Sequence, residues 1–337
     1  MLDELKPKEA TRILVTGASG FLGQALSRRL RADGCLVTAL SRHAPRVSEE
    51  PWVDGKRYEE CGPLLAGQDC VVHLAARVHV MNDAVPDPLA EFRAANVELT
   101  VHLARQAAQA GVHRFIFISS VKVNGEETAA DRPFTANDTP QPQDPYGVSK
   151  MEAEQALRSL AAQMGLEVVI IRAPLVYGPG VKANFAALMR AVQRGLPLPL
   201  GMVRNQRSLV ALDNLVDFII TCITHPQAAN QTFLVSDGQD LSTTELVRGM
   251  ARAAGVPARL LPVPVWVLQA GAALLGKGDA VQRLCGNLQV DISKARRLLG
   301  WVPPISVDEG LRRAMGVAGD KVHGLPRFAR NDGKNAQ

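Results

Sequence analysis

The sequence predicts an α/β protein built on a doubly wound parallel sheet. Apolar runs of strand length alternate with segments of helix length, the runs lack the polar alternation of a half-exposed strand, and a glycine-punctuated turn follows the first of them. A strand buried on both faces has no solvent side and so no period-two polarity. Helices must then cover the sheet above and below.

RILVT (12–16) is the first strand and 22–33 the first helix. CLVTAL (35–40) and CVVHLA (70–75) are the next strands, followed by a helical stretch near 89–110. RFIFIS (114–119), a helix from about 147 to 164, and EVVIIR (167–172) complete the alternation. After Arg172 the rhythm changes, and YGPG (177–180), GLPLPLG (195–201), QTFLVSDG (231–238) and GWVPP (300–304) interrupt shorter elements. No polar linker separates the halves, so the second reads as a smaller lobe partly woven back into the first. The expected division is 12–172 for the doubly wound domain, 173–315 for the lobe with segments returning to the core, and 316–337 for a basic, flexible tail.

Composition narrows the function classes. A chain of 337 residues, 47% hydrophobic and 21% charged, buries a sizeable core without disulfides and is neither disordered nor fibrous. The net charge is +5, but from Arg312 onward six Lys/Arg face two acids, which leaves residues 1–311 at +1. That placement offers no basic stripe for nucleic acid. Cys35, Cys61, Cys70, Cys222 and Cys285 form no CxxC pair and have no partnered His spacing, so no metal site is expected. An odd, scattered set suits the cytoplasm. The opening MLDELKPKEAT lacks the apolar core of a signal peptide. The most apolar stretch, LLPVPVWVLQAGAALLG (260–276), is too short and too broken by proline to span a membrane, and reads as a loop leading into a buried helix.

The turn after the first strand is Gly17-Ala18-Ser19-Gly20-Phe21-Leu22-Gly23. Gly17 and Gly20 allow a tight turn with close backbone approach, and Gly23 lets the helix lie against the strand. With Ser19, Phe21 and Leu22 they present the free N–H groups and positive end of a helix, which suits a dinucleotide pyrophosphate. The residue that reads the ribose belongs at the end of the second strand, where Leu40-Ser41-Arg42 stands. A hydroxyl and a guanidinium suit a 2′-phosphate, which favours NADP(H), with NAD(H) as the alternative; His43 and Arg46 follow closely enough to extend the patch. Further on, Tyr146 and Lys150 share one helix face at i, i+4, and the RFIFIS strand ends on Ser119-Ser120. An adjacent ammonium would lower the Tyr146 pKa, making the phenol a proton donor or acceptor for a carbonyl–alcohol pair whose oxygen Ser120 holds.

These residues give the chain a resemblance to the extended short-chain dehydrogenase/reductases of the nucleotide-sugar epimerase/dehydratase family, from about Arg12 to Ala314. TGASGFLG (16–23), HLAA (73–76), NVELT with Asn96, SSVKVNG (119–125), PYGVSK (145–150), RAPLVYGPG (172–180), RSLVALDNLVD (207–217) and DISKARRLLGW (291–301) carry it. The resemblance implies a Rossmann core and a catalytic set of Ser120, Tyr146 and Lys150. It places Leu74, Ala75, Ala76, Asn96 and Ala173 along the cofactor beside the turn residues, Ser41, Arg42, Tyr146 and Lys150. It places Asn184, Arg207 and Arg283 on a UDP-sugar diphosphate, with Ser120 and Lys122 near the sugar. It also implies a homodimer through the segments near 96–110 and 147–164. Family dehydratases carry Asp-Glu after the serine as acid and base; Val121-Lys122 stands here, which disfavours 4,6-dehydration. The strings SSVKVNG, LVYGPGVKANF and LVSDGQDLST resemble a bacterial subgroup acting at C4. The favoured expectation is an NADPH-dependent 4-reductase of UDP-4-keto-6-deoxy-N-acetylglucosamine, serving O-antigen precursor synthesis. The alternatives are a UDP-hexose or UDP-HexNAc 4-epimerase with retained NAD, a reductase of non-sugar carbonyls, and a non-catalytic NADP-sensing protein.

Overall fold

The computed structural model describes residues 10–42, 52–54, 61–78, 87–274, 276 and 278–316. His43, Arg46 and the expected tail beyond Gly316 lie outside the described residues.

The first half runs β1 (Arg12–Thr16), α1 (Phe21–Ala32), β2 (Leu36–Ser41), β3 (Trp52–Asp54), α2 (Gly62–Leu65), β4 (Cys70–His73), α3 (Pro88–Arg93), a π-turn (Ala94–Glu98), α4 (Leu99–Gln109), β5 (Arg114–Ser120), α5 (Pro145–Met164) and β6 (Glu167–Ala173). The strands and helices expected there form within a residue or two of their expected ends. The exception is the stretch near 89–110, which a π-turn divides. Asp144 caps α5 by accepting from the Gly147 N–H at 2.6 Å, and Pro145 occupies its first turn, where a missing N–H costs nothing.

Seven strands form one parallel sheet in the order β3-β2-β1-β4-β5-β6-β9, where β9 is Thr232–Leu234. Side chains alternate between its faces. Ile13, Val15, Val72, Ile116, Val169 and Ile171 enter one core with α1 and α7 (Leu212–Thr224). Leu14, Val71, Phe115, Phe117, Val168 and Ile170 enter the other with α4 and α5. Both sets are apolar, which is why the strands carry no polar alternation. The segment 212–234 thus returns to the sheet: α7 packs beside α1, and β9 pairs with β6.

The remaining elements are β7 (Leu175–Tyr177), α6 (Ala183–Gln193), β8 (Leu209–Ala211), α8 (Thr243–Ala254), α9 (Val265–Leu274), α10 (Gly278–Cys285), α11 (Ser293–Leu299) and α12 (Val307–Ala314). β7 and β8 pair in parallel over a core of Tyr177, Phe185, Leu209, Met250 and Leu311. A buried polar junction joins this lobe to the returning segment. Asp237 accepts from the Tyr177 hydroxyl (2.7 Å), the Ala211 N–H (2.8 Å) and Asn214 Nδ2 (2.7 Å). Asn214 also donates to the Ile305 carbonyl and accepts from its N–H, both at 3.0 Å. Burial pushes the Asp237 carboxyl up, against the donors that hold it down.

The apolar stretch 260–276 departs from expectation. It does form a helix, α9, but of its residues only Ala272 is buried; Trp266 is 70% and Leu274 89% exposed. Hydrophobicity reports what a residue prefers, not whether the fold provides a cover. Among the described residues no helix is long and apolar enough to cross a membrane, and no group of His, Cys, Asp and Glu could hold a metal ion.

Asn214→Ala removes one of the three donors to the buried Asp237 carboxylate and strands both Ile305 backbone groups. We expect a loss of about 3 kcal/mol in unfolding free energy, read as a lowered urea midpoint, whereas exposed Asn184→Ala is expected to leave the midpoint unchanged.

Candidate active site

Parallel strands deliver their carboxyl ends to one edge, and the strand register sets which side chains meet there. Thr16 stands opposite His73 across β1 and β4, and Ser120 opposite Ala173 across β5 and β6. The turn Gly17–Gly20 lies between β1 and α1. Gly17 has φ +65°, and a Cβ there would come 2.8 Å from the Ala75 nitrogen; one on Gly23 would come 2.2 Å from the Gly17 carbonyl oxygen. The turn is therefore closed against the Leu74–Ala76 loop with no room for side chains. This cradle, open at a helix N-terminus, fits a dinucleotide pyrophosphate.

Beneath it lies a hydrogen-bonded chain. The Thr16 hydroxyl accepts from the N–H groups of Leu74 and Ala75, both at 3.2 Å, and so donates to His73 Nδ1 at 2.8 Å. The Thr100 hydroxyl donates to the Asn96 carbonyl at 2.8 Å and so accepts from His73 Nε2 at 3.0 Å. These partners fix His73 as neutral imidazole with its proton on Nε2. Burial and the Lys150 ammonium push its pKa down to about 3. Asn96, expected along the cofactor, is buried. It clamps the same loop, accepting from Arg77 N–H at 2.8 Å and donating to the Arg77 carbonyl and to Ser149 Oγ.

Ser120, Tyr146 and Lys150 converge. Ser120 and Tyr146 share a hydrogen bond, and the Tyr146 ring meets Phe92 edge-on at 6.0 Å. Lys150 is buried, its Nζ 4.0 Å from the centre of the Phe117 ring. The electrostatics differ from expectation. Burial, then the Asp144 carboxylate, push the Tyr146 phenol up to about 12, against the Ser120 hydrogen bond. Burial pushes Lys150 down to about 7, opposed by Glu154. The i, i+4 spacing placed the pair on one face. It could not show that Lys150 is desolvated against an aromatic ring or that a carboxylate stands nearer the phenol.

A buried ion pair supports this corner. Glu154, one turn beyond Lys150, accepts from Arg172 Nε (2.9 Å) and Nη2 (2.7 Å) and from the Ser119 hydroxyl (2.6 Å). Arg172 also donates to Asn124 Oδ1 at 3.0 Å.

Residues expected on the substrate are divided. Lys122 and Arg283 line one cleft with Glu126, Glu127, Gln143, Asp144 and Gln282. Lys122 Nζ donates to Glu126 (2.9 Å) and Asp144 (2.5 Å), and these bonds raise its pKa against the opposing effect of burial. Arg207 donates to the Gly286 carbonyl at 3.1 Å and feels the Glu127 and Glu126 charges, which places it behind that cleft. Asn184 is exposed in the first turn of α6, away from the lining of the cleft. Arg42 is exposed at the end of β2 beside buried Ser41, and lines a second cavity with Ala75, Ala76 and Leu99. The sequence reading missed Thr16, Thr100, His73, Glu154 and the carboxylates of the cleft. Thr16 and His73 lie in strand-like strings, and Asp144 shows only as a helix cap two residues before Tyr146.

His73 ties acid stability to this site. Its ordinary pKa is about 6.5. As pH falls below that value the unfolded chain takes up a proton that the folded chain takes up only near 3. The stability present above pH 6.5 is therefore lost progressively through this window, at up to about 1.4 kcal/mol per pH unit. We expect the gap in urea midpoint between the parent and His73→Gln to narrow from pH 7 to pH 4.

Comparison with known proteins identifies the family. The chain matches the NAD dependent epimerase/dehydratase family over residues 13–236. It is 50% identical over 323 residues to a UDP-glucose 4-epimerase of Vibrio cholerae, covering 92% of this chain and 95% of that one. It is 28% identical over 321 residues to the N-acetyl-alpha-D-glucosaminyl-diphospho-ditrans,octacis-undecaprenol 4-epimerase of Escherichia coli O157:H7, covering 90% and 94%. Among solved structures it resembles MoeE5 in complex with UDP-glucuronic acid and NAD, at a TM-score of 0.72 and 26% identity over 91% of this chain and 98% of that one. With a doubly wound sheet, a glycine cradle at its carboxyl edge and a match over most of its length, the chain belongs to the NAD dependent epimerase/dehydratase family of extended short-chain dehydrogenase/reductases.

Proposed function

We propose that this protein transfers a hydride to and from C4 of a UDP-sugar, as a UDP-hexose or UDP-N-acetylhexosamine 4-epimerase. One observation carries the C4 chemistry. Ser120 and Tyr146 share a hydrogen bond at the sheet edge with Lys150 one helical turn on, while Val121 is buried and Lys122 is tied to Glu126 and Asp144. A carbonyl–alcohol centre is served there, without the acid–base pair that dehydration places after the serine. The likeness to the Vibrio cholerae enzyme favours epimerisation.

The nicotinamide, when bound, supplies the hydride and takes it back. In the oxidising half-reaction the Tyr146 phenolate would take the C4 hydroxyl proton as the carbonyl forms, and in the reducing half-reaction the phenol would return it as the alcohol re-forms. Ser120 holds that oxygen, and Lys150 holds the nicotinamide ribose. Arg207 and Arg283 clamp the diphosphate by charge-assisted hydrogen bonds, with Asn184 as a further contact. The protein works as a homodimer through α4 and α5, in the cytoplasm.

The second reading is a 4-reductase of UDP-4-keto-6-deoxy-N-acetylglucosamine that uses NADPH. Arg42 favours it: the cavity shared by Arg42, Ala75 and Ala76 has no carboxylate among the described residues that line it, and a 2′-phosphate suits such a site.

Two assays separate the readings. Incubation with NAD and UDP-glucose or UDP-N-acetylglucosamine, followed by NMR of the sugar, is expected to show C4 inversion with no net change in cofactor. Stoichiometric loss of NADPH absorbance with the 4-keto substrate would install the reductase instead. In either case Tyr146→Phe is expected to lose about a hundred- to ten-thousandfold in turnover.

Cofactor choice is tested separately. The epimerase reading expects the parent to bind NADH more tightly than NADPH; the reductase reading expects the reverse, with Arg42→Ala weakening NADPH by about tenfold or more while leaving NADH unchanged. A parent that prefers NADH would remove the ground for the second reading.

A further inference from the structure

We propose that α9 and the chain entering it form a membrane-surface contact that seats the protein on an anionic bilayer with the substrate cleft beside the lipid. This holds whichever reaction the cleft performs.

The helix is apolar on two opposite faces. Val265, Leu268 and Ala272 face the protein, where Val265 and Leu268 pack against the lobe core. Trp266, Ala270 and Leu274 follow at i, i+4 and i+8 on the far side, with Val267 beside them. Trp266 is 70%, Leu274 89% and Val267 38% exposed, and Leu261 ahead of the helix is 47% exposed. No charged residue lies between Arg259 and Lys277. A helix apolar all round is ordinarily buried, and an exposed apolar patch of tryptophan and leucine on a protein surface marks a contact with a partner or a membrane.

Charge selects the occupant. Residues 255–290 carry Arg259, Lys277 and Arg283 against one acid, Asp279. Basic side chains flanking an exposed apolar helix complement anionic lipid headgroups. A second copy of the same face, docked across a two-fold axis, would instead bring like charges together.

The patch also adjoins the site. α10 packs on α9 and contributes Gln282 and Arg283 to the cleft that holds Lys122 and Asp144. A neighbouring cavity, lined by Gln269 of α9 and Val281 and Cys285 of α10, shares Glu127 and Gln282 with that cleft. A bilayer under α9 therefore lies next to the cleft mouth, where a sugar diphosphate is taken up or handed on.

The test is flotation of the full chain with vesicles of phosphatidylethanolamine and phosphatidylglycerol, against vesicles of phosphatidylcholine alone. The parent is expected to float with the anionic vesicles. A double variant, Trp266→Ser with Leu274→Ser, is expected to lose about tenfold or more of that partition at an unchanged thermal midpoint. A blue shift of tryptophan emission on vesicles is expected in the parent and not in Trp266→Phe. Three results would overturn the proposal: no flotation; flotation undiminished in the double variant, which would assign it to the basic C-terminal stretch; or a lipid-free parent oligomer that the double variant breaks, which would assign the face to a second copy.

Discussion

The pairing of Arg172 with Glu154 is the constraint on which the catalytic corner depends. Both side chains lie within the protein, and each charge is tolerated there because the other, with Ser119 and Asn124, fills its hydrogen-bonding positions. Removing Glu154 leaves Arg172 buried and uncompensated, at a cost of about 3–5 kcal/mol, whereas removing Arg172 leaves Glu154 with the half-exposed Arg158 as its remaining charge partner. The pair joins β6 to α5, Ser119 adds β5, and Asn124 adds the turn after Ser120. Ser120 rides on β5 and Tyr146 and Lys150 on α5, so one polar knot sets their relative positions.

The dinucleotide side is ordered by the same device in neutral form. Thr16 and His73 occupy facing positions of adjacent strands, and both are buried because their hydrogen-bonding groups are satisfied by each other, by Thr100 and by the Leu74–Ala75 backbone. The loop that closes over the glycine turn is thereby held from beneath. Asn96 secures its far end. The cradle and the catalytic corner meet at Lys150, whose charge reaches His73 on one side and Glu154 on the other.

The fold was legible because its signals are repetitive. Five of the seven strands of the main sheet carry local apolar patterning that the reading used, β9 being hidden in the interrupting segment QTFLVSDG, and helix starts show as Gly20 before Phe21 and Asp144-Pro145 before Tyr146. β3 fell between the runs that the reading used. The π-turn inside 89–110 leaves no trace in periodicity, because one extra residue in a turn does not disturb an apolar stripe enough to notice. Polar partners such as Thr16 with His73, or Arg172 with Glu154, are far apart in sequence and carry no shared pattern; only the register joins them. The state of Lys150 was illegible for a related reason, since desolvation depends on Phe117, which belongs to another element. Exposure of α9 was misjudged because an apolar sequence does not say which surface covers it.

The order of strands has a consequence for synthesis of the chain. β6 ends at Ala173, but its outer neighbour β9 begins only at Thr232, and α7, which covers the face beside α1, precedes β9 by a few residues. While the ribosome adds the residues in between, the emerging domain has a bare strand edge along β6 and an uncovered apolar sheet face. Such edges recruit other chains. The doubly wound half therefore completes its core only after the first part of the smaller lobe has been made, which couples the maturation of the glycine cradle to α7, a helix added late that packs beside α1.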